Sequence, residues 1–82
     1  MPTISTFYGI TIYMYINDHN PPHIHARYSG KDSKFNIQTG IPSNDSFPKN
    51  ATRLVREFIE LHKDELMSMW ETKVITTIPG LD

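Results

Sequence analysis

The residues best equipped for chemistry lie close together. The segment Asp-His-Asn-Pro-Pro-His-Ile-His, residues 18–25, holds three of the chain's four histidines and one aspartate. Imidazole and carboxylate groups bind divalent metals and also serve as general acids and bases. His23 and His25 are two residues apart, so in a strand they project from the same face and can converge on one ion. His19 stands four residues before His23. An extended connector of that length spans up to ~13 Å, so His19 joins the pair only if the chain folds back. Asp18 suits a ligand role, or it can orient an imidazole by accepting its N–H. Together Asp18, His19, His23 and His25 offer three nitrogens and an oxygen, a donor set that suits zinc or another borderline divalent ion. Without a metal, His19, His23 and His25 are candidates for acid/base catalysis. The plain alternative is that His23 and His25 are ordinary strand residues and Asp18 caps a turn.

These side chains depend on the elements that carry them. Pro21 and Pro22 fix their own φ and push the residue before each towards extended geometry, which makes residues 20–22 a stiff, non-helical strut. On either side the sequence alternates as strands do. Ile10, Ile12, Met14 and Ile16 oppose Thr11, Tyr13, Tyr15 and Asn17, with Gly9 marking a turn or bulge before them. Ile24, Ala26 and Tyr28 oppose His23, His25 and Arg27. After a turn at Gly30-Lys31-Asp32, Phe35 and Ile37 oppose Lys34, Asn36 and Gln38. Residues 1–39 therefore predict a three-stranded antiparallel meander. Residues 40–47, rich in Gly, Pro, Ser and Asn, form a linker. Asp45 or Ser46 could cap the helix that follows, with Pro48 in its first turn.

Residues 48–72 contain no internal Gly or Pro and show helical periodicity. Ala51, Leu54, Val55, Phe58, Ile59, Leu61, Leu66, Met69 and Trp70 form one broad apolar stripe. About 25 helical residues would reach roughly 37 Å, long for so small a domain, so a break at His62–Asp64 is the alternative to a continuous helix. Residues 73–82 read as an extended tail. The expectation is a single α+β domain over 1–82: a three-stranded sheet with one long or broken C-terminal helix on its apolar face.

The sheet's other face would then carry Tyr13, Tyr15, His23, His25, Arg27 and Lys34. Aromatics, imidazoles and cations can stack bases and hold phosphates. The same residues suit a protein interface, including a homodimer. His62 falls within the apolar stripe and is expected to be structural, with Glu65 in reach as an acid/base partner. Trp70, with Met67 and Met69, reads as core.

Composition narrows the classes. The chain has 82 residues and a net charge of −1, unlike a strongly basic nucleic-acid binder. It has no cysteine, hence no disulfide framework and no thiolate chemistry. The N-terminus lacks a signal-peptide pattern, and no apolar run approaches the ~20 residues of a membrane span. A cytoplasmic protein is expected.

The segments MPTISTFYGITIYMY, NDHNPPHIHARY and LVREFIELHKDELMSMWE resemble those of a small bacterial and phage family, domain of unknown function 4160. By that resemblance Asp18, His19, Pro21, Pro22, His23 and His25 carry the family hallmark, and His62 and Trp70 match its helical motif. The family has no established activity to transfer. Its members often lie beside another small gene in a toxin–antitoxin-like arrangement, which implies a small cytosolic partner protein. The leading expectation is thus a binding or regulatory module that acts with a partner protein or nucleic acid in such a pair. The alternative is a ribonuclease-like phosphodiesterase, metal-assisted or using histidines as acid and base.

Overall fold

The computed structural model describes residues 2–81. Four strands, β1 (Thr3–Phe7), β2 (Ile10–Tyr13), β3 (His23–Tyr28) and β4 (Lys31–Asn36), precede one helix, α1 (Lys49–Thr72). The strands form a single antiparallel sheet in the order β1-β2-β3-β4. The α+β class and the meander are as expected, but the sheet has four strands rather than three. The additional strand is β1. Its pairing with β2 is interrupted by a bulge between Thr3 and Ser5, which turns both Ile4 and Ser5 inward. That break in alternation hides the strand from a period-two reading.

Two tight turns set the register. Tyr8 and Gly9 join β1 to β2, and Ser29 and Gly30 join β3 to β4, each residue with φ between 49° and 78°. Positive φ at both central positions is the geometry that matches the natural twist of a hairpin. The second turn therefore ends two residues before the sequence pattern suggests, and Lys31 and Asp32 belong to β4. At its far end β4 stops where the Asn36 carboxamide oxygen accepts the N–H groups of Gln38 and Thr39 at 2.8 and 3.0 Å. β2 likewise ends at Tyr13, so Ile16 leaves the expected apolar row and is 44% exposed.

Ile10, Ile12, Ile24, Ala26 and Phe35 face α1 from the sheet, and Val55, Phe58, Ile59 and Leu66 meet them. Phe7 stacks on Phe58 with ring centroids 4.9 Å apart. Each such fully buried side chain contributes about 1.5–3 kcal/mol. α1 is one element, yet His62 has non-helical φ −119° and ψ 23°, which kinks it at the expected place. A straight helix of its length would run about 36 Å, against a domain 30 Å in its longest dimension. Leu61, beside the kink, leaves the apolar stripe and is 66% exposed. Neither Asp45 nor Ser46 caps α1. Pro48 itself occupies the cap position, with no side-chain cap, and Ser46 bonds Asn44 instead. α1 ends where Lys73 turns left-handed and donates its N–H to Met69 O.

Both outer strands are flanked. Along β1, the Ile78 N–H donates to Ile4 O at 2.8 Å and Ile78 is buried. Along β4, Asn36 N–H donates to Ile41 O, Ser43 N–H donates to Lys34 O, and Phe35 bridges Pro42. Among the described residues no helix is long and apolar enough to cross a membrane.

Candidate metal centre

The register places the candidate residues in rows across the polar face. Tyr13 of β2 lies opposite His25 of β3, which lies opposite Lys34 of β4. The next rows hold His23 beside Asn36, and Thr11, Arg27 and Asp32. His23 and His25 thus share a face, as their spacing requires.

That face is less open than expected. Tyr13, His23 and His25 are 4%, 5% and 9% exposed, leaving Tyr15, Arg27 and Lys34 as its exposed members. The rings cover one another. Tyr13 stacks on His25 at 5.0 Å and 14°, and Tyr15 meets His25 edge-on at 4.8 Å. Trp70, from the end of α1, packs against His23 at 5.1 Å. The strand-parity expectation puts the helix and His23 on opposite sides of the sheet. The Trp70 side chain bridges that separation, and its indole N–H donates to Asn20 Oδ1 at 3.2 Å.

The loop curls back onto the strand through Asp18. One carboxylate oxygen, Oδ2, lies 2.8 Å from His23 Nε2 and accepts from His25 Nε2 at 3.1 Å. The other, Oδ1, accepts the His19 amide N–H at 3.0 Å and lies 3.2 Å from His19 Nδ1. His19 therefore touches Asp18 but points away, its side chain 78% exposed. The peptide bond between Asn20 and Pro21 is cis. The Pro21 carbonyl accepts the N–H of His23 Nδ1 at 2.8 Å. A carbonyl can only accept, so this bond assigns the Nδ1 proton and leaves Nε2 directed at Asp18. The prolines thus do more than stiffen the connector, since one of them orients an imidazole.

Donor atoms of Asp18, His23 and His25 all lie within 4.8 Å of one another. Around a tetrahedral ion with bonds of about 2.0–2.1 Å, adjacent donors are roughly 3.3 Å apart. The observed separations of 2.8 and 3.1 Å need only a small expansion to admit one. His19 and His62 stand outside this set. His62 packs on Phe58 at 4.9 Å and pairs with Glu65 Oε1 at 2.8 Å, next to the kink. Its side chain is only 15% exposed, at the margin of the core.

The electrostatics favour a carboxylate poised for a cation. Burial pushes the Asp18 carboxyl up, but hydrogen bonds from His25, the His19 amide and His23 outweigh it and hold the pKa at about 2. Burial lowers the His25 pKa, opposed by its bond to Asp18 and reinforced by the charges of His23 and Lys34. Both effects favour the unprotonated donors that a metal needs. Arg27 is already engaged. Its Nε and a terminal nitrogen donate to Asp32 at 3.0 and 3.4 Å, and the Tyr13 hydroxyl donates to the same carboxylate at 3.2 Å. Its hydrogen bond with Arg27 holds the Asp32 carboxyl below the usual range, while burial, then Asp32, raise the Tyr13 phenol. Sequence reading assigned Asp32 to a turn and so missed this network. Asn20 and the Trp70 indole were also missed as partners, because nothing local in sequence links residues 50 positions apart.

Comparison with curated proteins gives no significant match, and neither does comparison with solved structures. Residues 9–71, from the β1–β2 turn nearly to the end of α1 and including the whole of Asp18–His25, match the profile of the family described as Domain of unknown function (DUF4160), and the chain belongs to that family.

Proposed function

We propose that this domain is a small metal-binding module whose centre is Asp18, His23 and His25. The observation that carries the reading is the convergence of two buried imidazoles on one carboxylate oxygen, with the His23 ring fixed by the Pro21 carbonyl. A backbone carbonyl holding the far nitrogen of a ligand histidine is a recurring feature of metal sites. Two nitrogens and one oxygen suit zinc, or iron in a site with open positions. Three protein ligands leave room for water, and a metal-bound water is a nucleophile near neutral pH. Metal-assisted hydrolysis, with a phosphodiester as the substrate class, is the activity this arrangement favours.

The test is a thermal melt of chelator-treated protein with zinc, manganese, nickel or ferrous iron restored under anaerobic conditions. An ion at a hundredfold its dissociation constant stabilises by about 2.7 kcal/mol. For a domain of this size that raises Tm by roughly 10–20 °C. Asp18→Asn and His25→Ala should abolish the rise. No rise with any of the four ions overturns the reading.

A second reading, recognition of a partner protein or nucleic acid, is supported by Tyr15 and Ile16. Both are 44% exposed on the segment that leads into the centre, where a partner could contact them. A toxin–antitoxin-like partner belongs to this reading. Co-purification with the wild-type chain but not with Tyr15→Ala would support it, and equal recovery with both would count against it.

A further inference from the structure

Beside the centre lies a cleft of about 430 Å³ between β3, β4 and the segment that flanks β4. Its wall includes His19, His23, Lys34, Asn36, Ile41 and Ser43. The chemistry of this wall is one-sided. Lys34 contributes an exposed ammonium with no carboxylate partner among the described residues. The Asn36 oxygen is held by two backbone N–H groups, which fixes the carboxamide so that its NH2 remains as a donor. Ser43 adds a hydroxyl, and His19 an outward imidazole. No carboxylate lines the cleft among the described residues. The larger groove between α1 and the 37–47 segment is different, because Asp45, Glu57 and Glu60 stand among its Lys49, Arg53, Arg56 and Lys63, and Lys63 already donates to Gln38 O.

A cluster of donors and one cation without a counter-ion is suited to an oxyanion, and lysine is a common point-charge partner of phosphate. The volume lies within the usual range of about 300–1,000 Å³ for small-molecule sites. One part of the wall is apolar: Pro21 is exposed, and Ile41 is 59% exposed, facing a space that inorganic phosphate alone would not fill. We propose that this cleft binds an organic phosphate ester, its phosphoryl group held by Lys34, Asn36 and Ser43 and its organic part against Pro21 and Ile41. His23 belongs to both the cleft wall and the centre, so a bound phosphoryl group would lie beside the ion. The link to hydrolysis rests on the metal reading, whereas binding to the cleft does not.

The experiment is a titration of chelator-treated protein, followed by Trp70 fluorescence. The probes are uridine 3′-monophosphate, a short oligouridine and inorganic phosphate. The nucleotide or the oligomer should bind saturably, and more tightly than inorganic phosphate. The tighter of the two identifies the source of the ester. Lys34→Met should weaken binding about tenfold, the usual loss for a charge-assisted hydrogen bond. Ser43→Ala should weaken it less, and Arg53→Gln, in the other groove, should leave it unchanged. Lys34 is exposed, so an unchanged melting curve will show that Lys34→Met folds normally. The proposal is overturned by the absence of saturable binding, by wild-type affinity in Lys34→Met, or by inorganic phosphate binding as tightly as the esters. Saturable ester binding in a protein that no metal stabilises would sink the metal reading alone.

Discussion

Replacing Trp70 with Phe should separate two contributions of one side chain. The indole is 6% exposed, donates to Asn20 Oδ1 at 3.2 Å, and covers His23. Phenylalanine keeps a ring over His23 but loses the donor and part of the volume. The lost hydrogen bond costs about 1 kcal/mol. A void of roughly 40 Å³ costs about 1 kcal/mol more, at about 24 cal/mol per Å³. The expected loss is therefore about 2 kcal/mol, or a fall in Tm of roughly 8–16 °C for a domain of this size. Urea unfolding of chelator-treated protein measures it, provided that Asn20→Ala and the double variant are measured alongside. If the indole anchors the loop, the two substitutions should couple by about 1 kcal/mol. Trp70→Ala, which also uncovers His23, should in addition weaken metal binding by about tenfold or more, the usual effect of disturbing what orients a ligand. Additive losses, with coupling under about 0.3 kcal/mol, would refute the view that the end of α1 holds the loop in place.

Other expectations can be checked with the same material. The Asp18 pKa is depressed to about 2, below its unfolded value of about 3.9. Its contribution to the stability of the metal-free protein should be complete above about pH 4 and disappear as the pH falls through about 2. The stability gap between wild type and Asp18→Asn, measured from pH 6 to pH 2, should close over that window; a constant gap would argue against it. A Cβ at Gly80 would lie 2.7 Å from Phe7 Cβ and 2.9 Å from Thr6 O. Gly80→Ala should therefore lift the tail from β1 at a cost of about 1–3 kcal/mol, and the Ile78 amide should exchange faster than in wild type.

Much of the architecture was legible because it follows from periodicity. The His23/His25 face, the Ile10–Ile12–Met14 row and the long apolar helix each needed only one repeat distance. Length raised a break at His62–Asp64 as the alternative to a continuous helix but could not decide between them; the kink lies at His62. What could not be read arose from contacts between distant segments. β1 was obscured when the bulge at Ile4 and Ser5 broke its alternation. Cross-strand packing against Tyr13 and Tyr15 buries His25, and Trp70 buries His23 from far along the chain. For the centre, residue types and spacing named the three donors, together with His19, which lies outside them. Neither the fold-back of Asp18 nor the role of the Pro21 carbonyl had a local signal.

The coverage of both outer strands limits how this molecule can associate. Tail residues around Ile78 occupy one margin of the sheet at Ile4 and residues 41–43 the other at Lys34–Asn36, so along these stretches an incoming chain meets backbone groups already bonded. Recognition by strand addition, common among small β-containing domains, would there require one of these segments to peel away. The same arrangement is a safeguard against runaway polymerisation. It also makes the tail the part of the chain whose loss would most readily turn a discrete molecule into an aggregating one.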